Sequence, residues 1–375
     1  MNPAGIEDRF KLTLVRILTS LSGKKRLDNL RGESFARILV VRQHDQLGDM
    51  ICISPLLDAL RKKFPASRII LVASPVNYEI MLHHPFVDEV LLYQKKAFWK
   101  NPLSFIRFVL KLRRSRIDLA IVPVTVSLSV TSDLIARCSG AKKIIGASSL
   151  NGIENPAAPL FSVGVDLSWP DTSHFHQTRR NLEMLRPLGV GEVELSCRIG
   201  LTDEERRGAL EFVRPMKDRF EFLVGIHPGA GKPPNRWNEA RFAEVANRLF
   251  TNHHAGIFVT AGPMDDLPFE RMKIHLRCPY GVVHNMPIRH VAAVVNELDL
   301  FITNDTGILH IAGAVDAQVL ALFGPTDPLQ WAPIGKKNRY IRGKGGDINS
   351  ISEDEVNNML DVIVTEIMNN KDSFR

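Results

Sequence analysis

The sequence predicts an α/β protein made of two doubly wound, parallel-sheet domains. The chain has 375 residues, which is long for one hydrophobic core and comfortable for two. Nearly continuous apolar runs, RILVVR at 37–42 and FLVGIH at 222–227, are typical of buried parallel strands. Each run opens an alternation of strands and helices, which indicates a doubly wound sheet.

Composition shifts divide the chain into four predicted segments. They are a basic amphipathic extension at 1–35, a first domain at 36–190, a second domain at 200–345 and a final helix at 350–375. A linker-like stretch joins the two domains. Whether the final helix crosses back to the first domain stays open.

Composition also limits the function. A net charge of +7 favours an anionic partner, such as a nucleotide, a phosphorylated glycan, a membrane surface or a nucleic acid. The four cysteines lack CxxC spacing, which indicates reduced thiols and neither a disulfide framework nor a zinc site. No apolar stretch reaches about 18 residues, and the N-terminus does not resemble a signal peptide. We therefore expect a cytoplasmic protein.

Two basic segments leave alternatives open. The pattern of residues 6–21 predicts a basic amphipathic helix. One interpretation is docking on an anionic membrane; the other, which we favour, is packing on the protein's own surface. Residues 95–116 contain eight basic residues and no acid. One interpretation is a crossover helix whose apolar stripe packs on the sheet; the stripe is Leu103, Ile106, Val109 and Leu110. The other is a patch for phosphate-rich headgroups or sugars, and both can hold on opposite faces. Nucleic acid is disfavoured, since no recognised motif accompanies the charge.

The first domain contains a candidate base. Strand 37–42 leads into the turn QHDQLGD at 43–49, and a helix is predicted over 50–64. Gly48 permits a tight turn, and the helix dipole favours an ionised Asp49. A carboxylate at the carboxyl end of a strand can act as a base, although an N-cap is the alternative. No GxGxxG follows the strand, which argues against a nicotinamide dehydrogenase. Further strands are predicted at 68–73, 90–93, 117–123 and 143–146, with helices at 76–82, 129–138 and 174–187.

The second domain is predicted to open with a capped helix, since Thr202 and Glu205 have capping-box spacing. After strand 222–227, the turn PGAGK at 228–232 is a candidate phosphate loop, with Lys232 as its cation. The spacing is not that of a Walker A loop, and an ordinary loop is the alternative. A strand at 256–261 then ends in the turn GPMD.

The stretch 301–331 carries the densest signal. It predicts a strand, a polar turn at 304–307, a slim helix with His310 and a second strand at 319–323. Unpaired backbone N–H groups and the Thr306 hydroxyl make this turn a candidate anion site. Asp305 would repel an anion, so we expect an N-cap or a partner for sugar hydroxyls.

These motifs resemble the signatures of glycosyltransferase family 9, the lipopolysaccharide heptosyltransferases. The C-terminal signature, N-D-T-G-x-x-H-x-A followed by F-G-x-T-x-P, is matched by Asn304, Asp305, Thr306, Gly307, His310, Ala312, Phe323, Gly324, Thr326 and Pro328. An N-terminal signature ending in L-G-D is matched from Arg42 to Asp49. A middle motif, H-P-G-A…R-W-N, is matched from His227 to Asn238.

The resemblance implies an inverting enzyme of the GT-B architecture, with two Rossmann-like domains facing a cleft. The first domain would hold the acceptor and the base, Asp49, with Arg42 and Gly48 as weaker acceptor contacts. The second would bind the nucleotide sugar; its implied residues are Gly229, Lys232, Arg236, Asp265, Met286, Asp305, Thr306, Gly307 and His310. The family often has a lysine two positions before the tryptophan, where this chain has Asn235. We therefore assign the diphosphate to Lys232 and Arg236 together.

The implied donor is ADP-heptose and the implied acceptor a lipid A–inner-core glycan, met at the inner face of the cytoplasmic membrane. No cofactor or metal is implied, because helix termini and basic side chains would stabilise the diphosphate. Alternatives are a family member using another nucleotide sugar, a sugar-nucleotide epimerase of the same architecture and a non-catalytic nucleotide-sugar-binding protein. A nucleic-acid-binding protein is the most distant alternative.

Overall fold

The computed structural model describes residues 3–20, 27–44, 46–169, 174–315, 317–335 and 337–372. The chain folds as two compact units, Met1–Leu195 and Ser196–Arg375. Each unit is a predominantly parallel sheet covered by helices, which confirms the predicted α/β class with two doubly wound domains.

The first unit contains a seven-stranded sheet within the described residues. Its strands are β1 (Arg37–Arg42), β2 (Arg68–Ala73), β3 (Glu89–Leu92), β4 (Leu119–Ile121), β5 (Lys143–Leu150), β6 (Ile153–Glu154) and β7 (Val163–Leu167). The order is β3-β2-β1-β4-β5-β6. Strand β5 also pairs with β7, which is parallel to β5, whereas β6 is antiparallel to β5. The helices are α1 (Pro3–Ser20), α2 (Leu47–Ile51), α3 (Ser54–Lys63), α4 (Pro75–Met81), α5 (Lys95–Lys100), α6 (Pro102–Arg114), α7 (Val130–Cys138) and α8 (Gln177–Glu183).

The segment after β1 differs from the single helix predicted over 50–64. Helix α2 begins earlier and ends at Ile51, and α3 starts at Ser54. The break follows from Pro55, which has no N–H to donate to the carbonyl of Ile51 and clashes with the preceding turn. Asp49 consequently lies in the first turn of a separate five-residue helix.

The apolar stripe predicted for 95–116 is also different. Phe108 and Leu112 of α6 are buried in the core that α1 and α7 share. One interpretation turned Leu103, Ile106, Val109 and Leu110 toward the sheet; Val109 packs against this core, whereas the other three are exposed. The reason lies in the aromatic residues of this segment, because the ring of Phe108 contacts those of Tyr93 and Phe98 and fixes which face turns inward.

The second unit contains a six-stranded sheet in the part of the chain described here. Its strands are β8 (Phe222–His227), β9 (Ala255–Ala261), β10 (Tyr280–His284), β11 (Leu300–Asn304), β12 (Gln318–Phe323) and β13 (Arg339–Arg342). All pairs are parallel, in the order β10-β9-β8-β11-β12-β13. The helices are α9 (Asp203–Lys217), α10 (Glu239–His253), α11 (Asp266–His275), α12 (Ile288–Asn296), α13 (Gly307–Ala312), α14 (Pro328–Trp331) and α15 (Glu353–Asp372).

Both ends of the second unit are fixed by its own residues. The predicted capping box of α9 is confirmed, because Thr202 Oγ1 accepts from the backbone N–H of Glu205 and the Glu205 side chain accepts from the N–H of Thr202. The final helix, α15, belongs to the second unit. Its apolar side chains join the core of β8 and α10, and Arg248 forms a bidentate pair with Asp361. This helix therefore packs on the core of its own unit.

A buried carboxyl in the first unit predicts a pH dependence of stability. Burial raises the pKa of Asp133 to about 7 from an ordinary 3.8, although a hydrogen bond from Asn155 opposes the shift. The folded state therefore binds this proton more tightly, so the unfolding free energy should fall as pH rises from about 4 to about 7. The expected change is on the order of 4 kcal/mol.

Asp133→Asn should remove that slope, and urea unfolding of both proteins across this pH range measures it. Asp218→Asn, which alters an exposed carboxyl, is the matched control and should leave the slope in place. Equal slopes for the wild type and Asp133→Asn would contradict the assignment.

Candidate active-site residues of the two units

In the first unit, the candidate base lies where the strand order reverses. Strand β1 pairs with β2 on one side and with β4 on the other. Ligands of doubly wound sheets bind outside the carboxyl ends of the strands at such a switch point. Helix α2 follows the end of β1, and Thr125 follows the end of β4. The reversal therefore brings Asp49 and Thr125 together.

Asp49 is held by two neighbours. Its Oδ1 accepts from Arg42 Nη2 at 2.5 Å and from Thr125 Oγ1 at 3.1 Å. Its Oδ2 has no hydrogen-bond partner among the residues that the structure describes. Asp49 is only 3% exposed, and Arg42 2%. The carboxylate is thus oriented through one oxygen, which leaves the other as the atom that could take a proton.

Arg42 forms hydrogen bonds within its own unit. Its guanidinium is buried and donates to the carbonyl of Pro123 at 3.1 Å as well as to Asp49 and Thr125. Such a side chain orients the carboxylate, and its contact with an acceptor stays a prediction. Gly48 is likewise buried, inside α2. Asp45, the second acid of the predicted turn, lies outside the described residues.

In the second unit, the predicted donor loops also meet at a switch point. Strand β8 lies between β9 and β11, so the order again reverses beside it. The loop at 228–236 follows β8, and the turn at 304–307 follows β11. Because parallel strands end at one edge of the sheet, these loops are neighbours.

Asn304 joins the two loops. Its side-chain amide donates to the carbonyls of Pro228 and Gly229 at 3.0 and 3.1 Å. Its Oδ1 accepts from the backbone N–H of Trp237 at 3.0 Å. The residue is fully buried, so both ends of the glycine-rich loop are fixed to the end of β11. The sequence marks Asn304 only as part of a motif, and its hydrogen bonds make it the central residue of this site.

A second hydrogen bond links the two loops, and its donor is an uncharged amide. Asn235 Nδ2 donates to Asp305 Oδ2 at 3.0 Å. Asp305 is not the N-cap of α13, which was one of the two expectations for it. Thr306 occupies that position, without a side-chain capping hydrogen bond. Asn235, at the position where the family often has a lysine, therefore donates a hydrogen bond to the Asp305 carboxylate.

Gly229 is required by close packing. A Cβ at this position would lie 2.0 Å from Asp265 Oδ1. Asp265 is itself fixed, because its Oδ2 accepts from the N–H of Gly262 at 2.9 Å. The loop after β8 and the turn after β9 are thus in direct contact through a glycine and a carboxylate.

His227, which sequence reasoning left out of the site, faces the same carboxylate. Its Nδ1 lies 3.0 Å from the Thr260 carbonyl, which can only accept, so Nδ1 carries the proton. Burial lowers the pKa of His227, and the Asp265 carboxylate acts against that shift. A neutral ring then turns the lone pair of Nε2 toward Asp265 Oδ2 at 3.6 Å. A hydroxyl beside this pair could donate to one of the two acceptors.

The two predicted cations differ in environment. Arg236 is half-buried, and its Nη2 donates to the Ala230 carbonyl at 2.9 Å, which braces the loop. Lys232 is exposed, and its ammonium forms no hydrogen bond or ion pair with the described residues. Of the two, Lys232 has the ammonium that a ligand can reach without breaking an internal bond.

The remaining predicted residues lie at the same edge of the sheet or behind it. Met286 is exposed in the loop after β10. Thr306 and Gly307 are half-buried at the start of α13. His310 is buried on that helix, with its ring 6.0 Å from the ring of Trp331 in an edge-to-face arrangement. His310 thus packs beside Trp331, and its contact with a nucleotide sugar stays a prediction.

The contact between Gly229 and Asp265 can be tested. Gly229→Ala should lower the unfolding free energy by about 1–3 kcal/mol, because the new methyl group displaces a fixed carboxylate. Gly231→Ala is the matched control, since a Cβ there meets no atom within 4 Å. Urea unfolding and calorimetric titration with ADP measure stability and affinity. Equal unfolding free energies for the two variants would show that Gly229 does not pack closely against Asp265.

The described residues offer neither a metal centre nor a membrane-spanning helix. Among them, His, Cys, Asp and Glu side chains do not form a group of three or more suited to a metal ion. Their helices also include none with the length and apolar character needed to cross a bilayer.

Two Rossmann-like units, each with polar groups at the switch point of its sheet, are the domains from which the GT-B fold is built. The model of glycosyltransferase family 9 (heptosyltransferase) matches residues 105–359. The chain belongs to this family and is a glycosyltransferase, as its motifs implied. Asp49 precedes the matched span, so its role remains a prediction.

Individual relatives agree with this assignment. Lipooligosaccharide heptosyltransferase 2 of Campylobacter jejuni subsp. jejuni is 25% identical over 301 residues, covering 79% of this chain and 84% of the relative. The family 9 glycosyltransferase structure from Veillonella parvula has a TM-score of 0.77 at 23% identity, covering 92% of this chain and 100% of that one. The E. coli heptosyltransferase WaaC with ADP has a TM-score of 0.69 at 19% identity, covering 87% and 99%. These structures show the fold that the chain shares.

Proposed function

We propose that this protein transfers a heptose from ADP-heptose to the inner core of lipopolysaccharide, with inversion at the anomeric carbon. The observation that carries the proposal is the family 9 match over residues 105–359, which includes most of the second unit. The Campylobacter relative bears the name of a lipooligosaccharide heptosyltransferase, and the E. coli enzyme was solved with ADP. We place the protein in the cytoplasm, on the inner face of the membrane.

The second unit would hold the donor. Lys232, with its exposed ammonium, would pair with the diphosphate, while Arg236 braces the loop and adds positive charge. The Thr306 hydroxyl and the backbone N–H of Gly307 would complete the diphosphate contacts. These groups stabilise the charge that develops on the departing ADP, and such electrostatic stabilisation usually lowers the barrier more than any other single effect.

The nucleoside and the sugar would be held by the flanking turns. Asp265 and His227 present acceptors that suit a ribose hydroxyl. Met286 is exposed at the same edge, where it can pack against the base. Asp305 would accept from a sugar hydroxyl with the lone pairs that Asn235 leaves available.

The first unit would supply the base. Asp49 Oδ2 takes the proton of an acceptor hydroxyl. The oxygen of that hydroxyl then forms a bond to the anomeric carbon. The bond from the same carbon to the diphosphate oxygen breaks, and ADP leaves with the electron pair. Attack opposite the leaving group inverts the configuration. No step uses a metal ion, so we expect transfer to persist in EDTA.

A donor and acceptor panel tests the proposal. Purified protein is incubated with ADP-heptose, ADP-glucose or UDP-glucose and with lipopolysaccharide truncated before the first, second or third heptose. We expect product only with ADP-heptose and one of the acceptors. Transfer from another nucleotide sugar would show that ADP-heptose is not the donor. Donor binding without transfer would indicate a non-catalytic binding protein.

A further inference from the structure

Helix α6 has an outward face that the fold of its unit does not use. Phe108 and Leu112 turn inward, and that side of the helix is fully occupied by the core. On the opposite side Leu103, Ile106 and Leu110 are 62%, 51% and 47% exposed. Their spacing of three and four residues puts them on one stripe of the helix. Three large aliphatic side chains in a continuous exposed stripe indicate an interaction surface.

The charges beside this stripe identify its partner. Arg107 and Lys111 flank it on one side, Arg113 lies on the other, and Arg114 continues it at the C-terminal end. Lys111 pairs with Glu89 at 3.0 Å, and Arg113 donates to the Cys138 carbonyl. Arg107 and Arg114 are exposed, and neither pairs with a described residue. An apolar stripe bordered by cations is the pattern of a helix lying in a bilayer interface, with its long basic side chains reaching the headgroups.

We propose that the outward face of α6 docks this protein on an anionic lipid bilayer. The aliphatic stripe enters the boundary between headgroups and acyl chains, and the arginines contact lipid phosphates. A second copy of the chain is a poorer partner, because a two-fold contact would place this cationic border against itself. A nucleic acid is poorer still, since the centre of the surface is aliphatic. None of these α6 residues belongs to the proposed donor or acceptor sites.

Vesicle flotation tests the apolar part of the surface. The full chain is mixed with vesicles of phosphatidylcholine alone, or of phosphatidylcholine and phosphatidylglycerol in equal amounts. We expect binding to the anionic vesicles that decreases at high salt. Leu103→Gln, Ile106→Gln and Leu110→Gln, made together, should weaken binding at least tenfold. The matched control is Leu267→Gln, Ile274→Gln and Val362→Gln, which alters equally exposed apolar residues of the second unit. It should bind as the wild type does.

A charge-reversal pair tests the cationic border. Arg107→Glu with Arg114→Glu should abolish binding to anionic vesicles, whereas Arg206→Glu with Arg207→Glu, on exposed positions of α9, should not. Unfolding curves and transfer to an acyl-free acceptor confirm that each variant folds. No binding by the wild type, or equal binding by the α6 variants, would overturn the proposal. So would gel filtration showing a dimer that only the α6 variants lose.

Discussion

Asp49→Asn should reduce turnover by about 10²- to 10⁴-fold while leaving ADP affinity unchanged. The amide can still accept from Arg42 and Thr125 through one oxygen, but it cannot take a proton from an acceptor hydroxyl. Steady-state transfer with saturating ADP-heptose measures the rate. ADP titration measures affinity, which should not change because we assign nucleotide binding to loops of the other unit. Turnover within a few-fold of wild type would exclude Asp49 as the base.

Stability must be separated from chemistry in this test. Asp49→Asn leaves the buried guanidinium of Arg42 without its counter-charge. The double variant Arg42→Met with Asp49→Asn removes both charges and also lacks the base. It should therefore be as inactive as the single variant, although it is better folded. If the double variant is active, the loss of turnover in Asp49→Asn is due to misfolding and not to the missing base.

Arg42→Met alone should have the largest effect on stability, lowering the unfolding free energy by about 3–5 kcal/mol. It leaves the Asp49 carboxylate buried with only the Thr125 hydroxyl as a donor. Urea unfolding of the wild type, both single variants and the double variant forms a double-mutant cycle. We expect the double variant to be more stable than Arg42→Met. Strict additivity would show that the two charges do not interact.

The sequence was sufficient for much of the fold because its central strands are short, apolar and almost entirely buried. Strands β1, β2 and β8 have the predicted bounds. The outward stripe of α6 could not be predicted, because that helix carries apolar residues on both faces and periodicity alone does not say which one turns inward. Phe108 and its aromatic neighbours decide this, and their contacts are tertiary.

Prediction of the site had a similar limit. Motifs marked Gly229 and Asp305, but spacing alone could not reveal that Gly229 contacts Asp265 or that Asn235 satisfies Asp305. His227 begins the middle motif, but the motif alone did not give it a role in the site. Thr125 was missed because a threonine in a loop carries no distinctive pattern. The strand order of each sheet brings them to the switch point. One signal was available for Asn304, since an amide at the end of an apolar strand needs hydrogen-bond partners.

The hydrogen bonds of Asn304 have a consequence for the energetics of donor capture. They fasten the glycine-rich loop at both ends to the strand that also carries the 304–307 turn. Much of the entropy lost in ordering that loop is therefore spent during folding, before any nucleotide arrives. ADP should meet a pre-organised surface, and its association should show little of the unfavourable ordering entropy of a site assembled on contact.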